Sequence, residues 1–245
     1  MKNKKIYVIG GANHYANWIK NATLVNDAQQ ADIIMFTGGA DVNPRIYGQN
    51  IGKYTNINVT RDKLEESYYR IFGNKFKIGV CRGSQFLNVM NGGSLIQHVN
   101  GHAINQKHVI ETNDNKTFNV TSTHHQMCIP SQRRGFELIA WANKLSTCYL
   151  DGDNREIKLP DNYKEFEIGY YQDSKSLLIQ SHPEMMNDQD FFNYLNNLID
   201  TKMNEKPSRV SSFDKVFGGI DPIPFELEEQ LIEDEEREED EELNF

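Results

Sequence analysis

Short, uniformly apolar segments that alternate with polar or helical segments constrain the fold of this chain more than any other feature. Four of them end at glycine or polar residues: IYVI at 6–9, DIIMF at 32–36, KIGVC at 77–81 and SLLIQ at 176–180. Strands that are apolar on both faces are typical of parallel sheets covered by helices on both sides. The sequence therefore predicts an α/β fold with an open, mostly parallel sheet.

The remaining elements follow from spacing and capping residues. Residues 23–25 are a further strand candidate, and helical spacing predicts helices from Thr60 through Phe72, over 85–90 and over 188–203. The middle of the chain contains closely spaced short strands at 118–121, 136–142, 167–171 and 176–180. Because such neighbours favour hairpins, we expect an antiparallel β portion added to the parallel sheet.

Charge is distributed unevenly along the 245 residues. The net charge is −9, but residues 221–245 hold 13 acidic side chains and one basic side chain, which leaves 22 acidic and 25 basic ones in 1–220. We predict one domain over 1–205, followed by a linker and an acidic, disordered tail over 206–245. The alternative for the tail is a docking segment for a basic protein partner.

Other composition features exclude several classes of protein. Three cysteines are too few for a disulfide framework, no run of 18 apolar residues exists, and the N-terminal segment lacks a signal-peptide core. The tail is acidic and the rest has no basic stripe, so nucleic-acid binding is not expected. We expect a soluble, cytoplasmic protein without a membrane partner.

The segment GVCRG at 79–83 is the sharpest candidate for chemistry. Its cysteine lies between a predicted strand and a predicted helix, with glycines two positions to either side. This is the nucleophile-elbow pattern with cysteine in place of serine. The following helix directs its amides and positive dipole end at Cys81, which favours a thiolate. A buried structural cysteine beside a glycine-rich turn is the alternative, and it is the favoured interpretation for Cys128 and Cys148.

Two further segments follow predicted strands. In SHPE at 181–184, side chains two positions apart project to the same side, so His182 and Glu184 can approach one site together. A base held by a carboxylate is what a cysteine nucleophile needs. The segment TGGADVNP at 37–44 offers backbone amides for an oxyanion hole, whereas a phosphate loop is not expected because its motif is missing.

Taken together, these segments resemble the class I glutamine amidotransferase-like family, and within it the γ-glutamyl-γ-aminobutyrate hydrolase (peptidase C26-like) branch. The resemblance rests on TGGADVNPRIYG (37–48), Arg61-Asp62 with Glu65, GVCRGSQFLNVMNGGSLIQH (79–98), His102, STHHQ (122–126) and SHPE (181–184). It implies a flavodoxin-like sheet. The chain departs from the branch at Thr121, where asparagine is common.

The resemblance also implies residue roles. Cys81 would be the nucleophile, His182 the general base and acid, and Glu184 the residue that orients His182. The backbone amides of Gly39 and Arg82 would form the oxyanion hole. The implied substrate-binding residues are Gln85, Ser122, His124, His125 and Gln126.

Three functions are compatible with these residues. The leading hypothesis is hydrolysis of γ-glutamyl amides, either γ-glutamyl amines or glutamine, through a γ-glutamyl thioester and without a cofactor. The second is a glutaminase subunit that supplies ammonia to a separate synthetase. The third is a non-catalytic scaffold that recruits partners through its acidic tail, which an intact Cys81, His182 and Glu184 set disfavours.

The histidines at 98, 102 and 108 raise the question of a metal site. No cysteine or carboxylate completes a ligand set at suitable spacing along the sequence, so we predict structural or pocket-lining roles and no metal. His124 and His125 are adjacent in an extended segment and point in opposite directions, so at most one of them is expected to face the pocket.

Overall fold

A nine-stranded mixed sheet forms the centre of the molecule in this computed structural model, which describes residues 3–131 and 135–205. Its strand order is β2-β1-β3-β4-β13-β12-β10-β7-β8. The neighbours from β2 to β13 pair in parallel, and those from β13 to β8 pair antiparallel. We call β1–β4 with β13 the parallel half, and β7, β8, β10 and β12 the antiparallel half. The predicted fold class, including the added antiparallel portion, is confirmed.

The strands of the main sheet and of two two-stranded sheets have the following bounds. The strands are β1 (Lys4–Val8), β2 (Ala22–Leu24), β3 (Ile33–Phe36), β4 (Phe76–Val80), β5 (Ser94–Ile96), β6 (His98–Val99), β7 (Ala103–Thr112), β8 (Thr117–Thr123), β9 (Met127–Ile129), β10 (Phe136–Asn143), β11 (Tyr149–Leu150), β12 (Lys164–Tyr171) and β13 (Ser176–Ile179). Strands β5 and β9 pair with each other, as do β6 and β11.

In the described ranges, three α-helices cover the sheet: α1 (Val59–Ile71), α2 (Arg82–Met90) and α3 (Gln189–Asn204). Helix α1 is capped by Asn58, whose side chain accepts a hydrogen bond from the Arg61 amide, so the predicted cap at Thr60 is wrong by two residues. Helix α2 begins directly after Cys81, three residues earlier than predicted. None of the helices in the described part of the chain combines the length and apolarity needed to cross a bilayer.

The parallel strands bury side chains on both faces. On β3, Ile33 and Met35 belong to the apolar cluster that contains Phe191 of α3. Their neighbour Ile34 belongs to the opposite cluster, which contains Phe86 of α2. Alternate residues of one strand therefore pack against helices on opposite sides of the sheet, which is why these segments are apolar throughout.

The carboxyl ends of β3, β4 and β13 lie side by side. Phe36 is in register with Gly79, and Val80 is in register with Ile179. The chain leaves these strands within or next to the three segments that the sequence analysis selected, 37–44, 79–83 and 181–184. Because ligands bind at the carboxyl ends of strands in open α/β sheets, this edge is the place for a functional site.

The antiparallel half was predicted less completely. Strand β7, at ten residues the longest in the described chain, was missed because its sequence AINQKHVIET mixes polar and apolar residues without strict alternation. It pairs with β8 to form a hairpin at the edge of the sheet. The predicted tail over 206–245 lies outside the described residues, so the domain boundary near 205 stays a prediction.

Candidate active site

Cys81 occupies a strained turn between β4 and α2. Its φ of 52° and ψ of −111° are conformations that residues with a side chain rarely adopt. The flanking glycines make the turn possible: a Cβ at Gly79 would lie 2.4 Å from the Gly83 carbonyl oxygen, and one at Gly83 would lie 2.2 Å from the Phe36 carbonyl oxygen. The chain can therefore close this turn only with glycine at both positions.

Helix α2 presents its amino terminus to the cysteine. The Cys81 carbonyl oxygen accepts hydrogen bonds from the amides of Ser84 and Gln85, while the Cys81 amide donates to the carbonyl of Ile179 on β13. The thiol thus lies at the positive end of the helix dipole, where negative charge is favoured.

His182 lies beside Cys81 and is held from its other side by Glu184. The His182 Nδ1 atom is 2.6 Å from Glu184 Oε1, and the His182 amide donates to Thr121 Oγ1 at 2.8 Å. Burial alone would lower the pKa of His182, but hydrogen bonding to Cys81 and Glu184 outweighs it and raises the pKa well above its usual range. These two contacts favour the protonated form of the imidazole beside Cys81.

The loop after β3 approaches the same pair. A Cβ added to Gly38 would lie 2.9 Å from His182 Cε1 and 3.7 Å from Cys81 Cβ. Gly39 has a φ of +143°, and a Cβ there would lie 2.1 Å from Arg61 Nη1. Within the described ranges, the amides of Gly39 and Arg82 donate to no protein acceptor, so both are free for a ligand.

The Arg61 guanidinium group holds the loop after β3 through hydrogen bonds to its carbonyls. Its Nη1 donates to the Gly38 carbonyl at 2.9 Å and its Nη2 donates to the Thr37 carbonyl at 3.0 Å, while its Nε pairs with Glu65 at 2.9 Å. With these carbonyls turned toward Arg61, the loop is held in one conformation. The buried Arg82 side chain ties α2 to α1 through Asp62 and Glu65.

Two contributors were missed in the sequence analysis. Tyr15 packs against the imidazole, with ring centroids of Tyr15 and His182 6.2 Å apart, and burial, Glu184 and Cys81 all raise its pKa. Thr121 appeared only as a departure from the family pattern, although it anchors the His182 backbone. Tyr15 lies in a short 3₁₀ helix (Asn13–Ala16), which is too short for a periodic pattern to single out one side chain.

The five predicted substrate-binding residues do not share one environment. Gln85 Nε2 donates to the Gln126 carbonyl at 3.2 Å and to Gln180 Oε1 at 3.3 Å. His125 is partly exposed, and its Nε2 lies 3.1 Å from Asp41 Oδ1, a contact that raises its pKa. Gln126 Nε2 donates to Thr55 at 3.2 Å.

Ser122 and His124 are buried in a different place, a cluster of histidines and glutamates. Ser122 Oγ donates to the His102 carbonyl at 2.5 Å, and His124 Nε2 points at Glu167. The expectation that no carboxylate accompanies the histidines is wrong: ligand atoms of His102, His108 and Glu167 all lie within 4.8 Å of one another. Spacing along the chain did not show this, because Glu167 comes from β12 and approaches through strand pairing.

Sequence comparison finds relatives for part of this chain. The sequence model of the Peptidase C26 family matches residues 16–134, which include Cys81 but neither His182 nor Glu184. The glutamine amidotransferase-like protein YvdE of Lactococcus lactis subsp. lactis is 35% identical over 109 residues. The matched part of the chain is therefore similar to Peptidase C26 and glutamine amidotransferase-like proteins.

The matches to these relatives cover only part of each chain. YvdE is matched over 43% of this chain and 44% of its own length. Its homologue from Lactococcus lactis subsp. cremoris is 33% identical over 111 residues, 43% of this chain and 56% of that protein. The match thus spans about half the length of these curated relatives.

Two solved structures share the fold of this chain. A GMP synthase component from Thermoplasma acidophilum superimposes with a TM-score of 0.53 at 18% identity, covering 82% of this chain and 95% of that one. PurLQS from Thermotoga maritima gives a TM-score of 0.52 at 13% identity, covering 82% and 99%. At these identities the likeness shows the fold alone.

Proposed function

We propose that this protein hydrolyses γ-glutamyl amide bonds through a thioester on Cys81. The observation that carries the proposal is the arrangement at the strand ends: Cys81 in its strained turn, His182 beside it across Gly38, and Glu184 2.6 Å from His182 Nδ1. Such a set is what activates a cysteine nucleophile. Partial similarity to Peptidase C26 and glutamine amidotransferase-like proteins supports the γ-glutamyl class of substrate.

The first step uses the ion pair between sulfur and imidazolium. The Cys81 thiolate attacks the side-chain amide carbonyl of the γ-glutamyl group, and the carbonyl π electrons move onto oxygen. The free amides of Gly39 and Arg82 bind this oxyanion, an interaction of a kind that contributes roughly 10²- to 10³-fold in rate. His182 then protonates the amine or ammonia as the C–N bond breaks.

The second step releases glutamate. His182, now neutral, accepts a proton from water, the resulting hydroxide attacks the thioester carbonyl, and the C–S bond breaks to regenerate the thiolate. Glu184 keeps the Nδ1 proton on the imidazole, so that Nε2 carries out both transfers. Gln85, Ser122, His124, His125 and Gln126 remain predicted contacts of the glutamyl group, with His125 the most exposed of those described above.

The direct test is glutamate release by the purified full chain from glutamine and from a panel of γ-glutamyl amines. We expect turnover of an amine conjugate without a partner, abolished in Cys81→Ala and unchanged in Cys148→Ala. Activity on glutamine only after a synthetase is added would instead favour the second hypothesis, in which the chain supplies ammonia to that synthetase. No turnover with any substrate or partner, with Cys81→Ala indistinguishable from the parent in cells, would support a scaffold.

Alkylation provides a test that needs no substrate. Iodoacetamide should modify Cys81 faster than Cys148, although Cys148 is the more exposed, because His182 and the α2 dipole stabilise the Cys81 thiolate. Cys128 should react slowest, since burial raises its pKa. Peptide mapping after a short exposure measures all three rates, and equal rates at Cys81 and Cys148 would contradict the activation argued above.

A further inference from the structure

A buried cluster of three histidines and two glutamates lies in the antiparallel half. Its members come from four places in the fold: His102 just before β7, His108 on β7, His124 after β8, and Glu165 with Glu167 on β12. Each side chain is no more than 6% exposed. The proposed amide hydrolysis uses none of these groups as acid, base or nucleophile.

The ring nitrogens converge on one carboxylate oxygen. Glu167 Oε1 lies 2.9 Å from His108 Nε2, 3.6 Å from His102 Nδ1 and 3.8 Å from His124 Nε2. The last two separations are too long for hydrogen bonds. Among the described residues, His124 Nε2 and Glu167 Oε2 are buried polar atoms without a hydrogen-bond partner, which is costly unless something else satisfies them.

The outer contacts fix which nitrogen carries a proton. His124 Nδ1 lies 2.9 Å from the Gln126 carbonyl oxygen, which can only accept, so Nδ1 is the donor and Nε2 of the neutral ring presents a lone pair.

His102 is fixed in the same way. Its Nε2 lies 2.8 Å from Glu165 Oε2. Glu165 also accepts from Tyr149 and from the amides of Leu145 and Ser146. Since the Glu165 carboxylate accepts from these donors, His102 Nε2 is the donor in the contact between them, and its Nδ1 lone pair also faces Glu167.

Two lone pairs directed at a carboxylate are repelled by it unless a cation lies between them. We propose that this cluster binds one zinc ion through His102 Nδ1, His108 Nε2 and Glu167, whose ligand atoms all lie within 4.8 Å of one another. Around a tetrahedral ion with ligands at 2.0–2.1 Å, ligand atoms are about 3.3 Å apart. The observed separations of 2.9 and 3.6 Å from Glu167 to the two rings lie on either side of that value.

The second contact of His102 also matches a zinc site. Metal-binding histidines commonly donate their other N–H to a carboxylate or backbone carbonyl, as His102 does to Glu165. Three protein ligands leave the fourth position of a tetrahedral ion to water. The ion would join β7 to β12 beside His124, whose Nδ1 shares the Gln126 carbonyl with Gln85 of the candidate active site.

The first experiment measures metal bound by the full chain. Purified protein should contain about one zinc per chain by elemental analysis, and chelator-stripped protein should take up one equivalent of Co²⁺ with the intense visible bands of tetrahedral cobalt. One equivalent of Zn²⁺ should then displace the cobalt. A chain that purifies without metal and gives only the weak spectrum of hydrated Co²⁺ would overturn the proposal, whatever its hydrolase activity.

Variants assign the site to these residues. His108→Gln and Glu167→Gln should abolish stoichiometric zinc, Glu165→Gln should weaken its affinity by roughly 10- to 100-fold, and His98→Gln, outside the cluster, should bind like the parent. Circular dichroism reports whether each variant folds. If the ligand variants do not fold, the parent's cobalt spectrum decides alone, and folded ligand variants that keep full zinc would contradict the assignment.

Discussion

The two halves of the sheet support the candidate site by different means. In the parallel half, backbone geometry dominates: Gly79, Gly83 and Gly38 let the main chain approach to distances that a Cβ would block. In the antiparallel half, long side chains dominate, with Glu165 and Glu167 holding histidines from other strands. The parallel half positions Cys81 and His182, and the antiparallel half supports the residues packed beside them.

The difference teaches where precision originates in this fold. A glycine-rich turn is specified by residues adjacent in sequence, so its effect on the site is local. The histidine–glutamate cluster joins side chains about 60 positions apart, from β7 and β12 on either side of β10, and it fails as a unit if one strand shifts. Substitutions in the parallel half should therefore mainly abolish catalysis, and those in the antiparallel half should mainly reduce stability.

The largest effect should follow from Gly79→Ala. The added methyl group would lie 2.4 Å from the Gly83 carbonyl oxygen, so the turn at Cys81 cannot close. We expect glutamate release to be lost and the free energy of unfolding to fall by about 3 kcal/mol. Urea denaturation and the glutamate assay measure the two effects.

Gly48→Ala is the matched control. Gly48 also has a positive φ, +73°, but nothing lies within 4 Å of an added Cβ. It should lose only about 1 kcal/mol from backbone strain and retain activity. Equal behaviour of the two variants would show that close approach at the elbow is unimportant.

Glu184→Gln tests whether Glu184 orients the His182 imidazole or only stabilises the fold. Without the carboxylate, kcat/KM should fall roughly 100-fold, within the range of acid–base contributions. Because Glu184 raises the pKa of His182, the imidazolium should lose its proton at lower pH, and the alkaline limb of the pH–rate profile should move to lower pH. The exposed Glu156→Gln should change neither, and an unmoved alkaline limb in Glu184→Gln would contradict the assigned role.

Glu165→Gln tests the antiparallel half. It weakens contacts to His102, Tyr149 and two amides, so the free energy of unfolding should fall by about 2–3 kcal/mol while activity of the folded fraction persists. The folded-state pKa of about 2 lies below the usual 4.5, so this stabilisation is present above pH 4.5 and lost as pH falls toward 2.

Urea denaturation of parent and variant at several pH values measures this dependence. The two stabilities should converge as the pH approaches 2. Glu111 on β7 takes part in an exposed contact with Asn143, so Glu111→Gln should change the free energy of unfolding by less than about 0.5 kcal/mol. A parent–variant difference independent of pH would contradict the argument for Glu165.

The smallest effect concerns the junction of the halves. Thr121→Val removes the acceptor of the His182 amide and should cost about 1 kcal/mol, or roughly fivefold in kcat/KM. Thr123→Val, two residues along β8 and exposed, should have no effect. Kinetics on both variants at saturating and low substrate measure it, and equal values would remove Thr121 from the site.

The sequence was sufficient for the parallel half because its signals are local. Apolar runs, the GVCRG turn and the HPE triplet each lie within a few residues, and the parallel order of β3, β4 and β13 brings their ends together. It was insufficient for β7 and for the partners of His102 and His108. Those depend on which strands pair, and mixed polar residues such as those of β7 do not indicate a partner.

Covalent trapping tests the central claim most directly. Full-length protein is mixed with a γ-glutamyl substrate, quenched in acid during turnover and mapped by mass spectrometry. We predict the added mass of one γ-glutamyl group on the peptide that contains Cys81, and none on those with Cys128 or Cys148. Steady turnover with the adduct on another cysteine, or undiminished turnover by Cys81→Ala, would contradict the account.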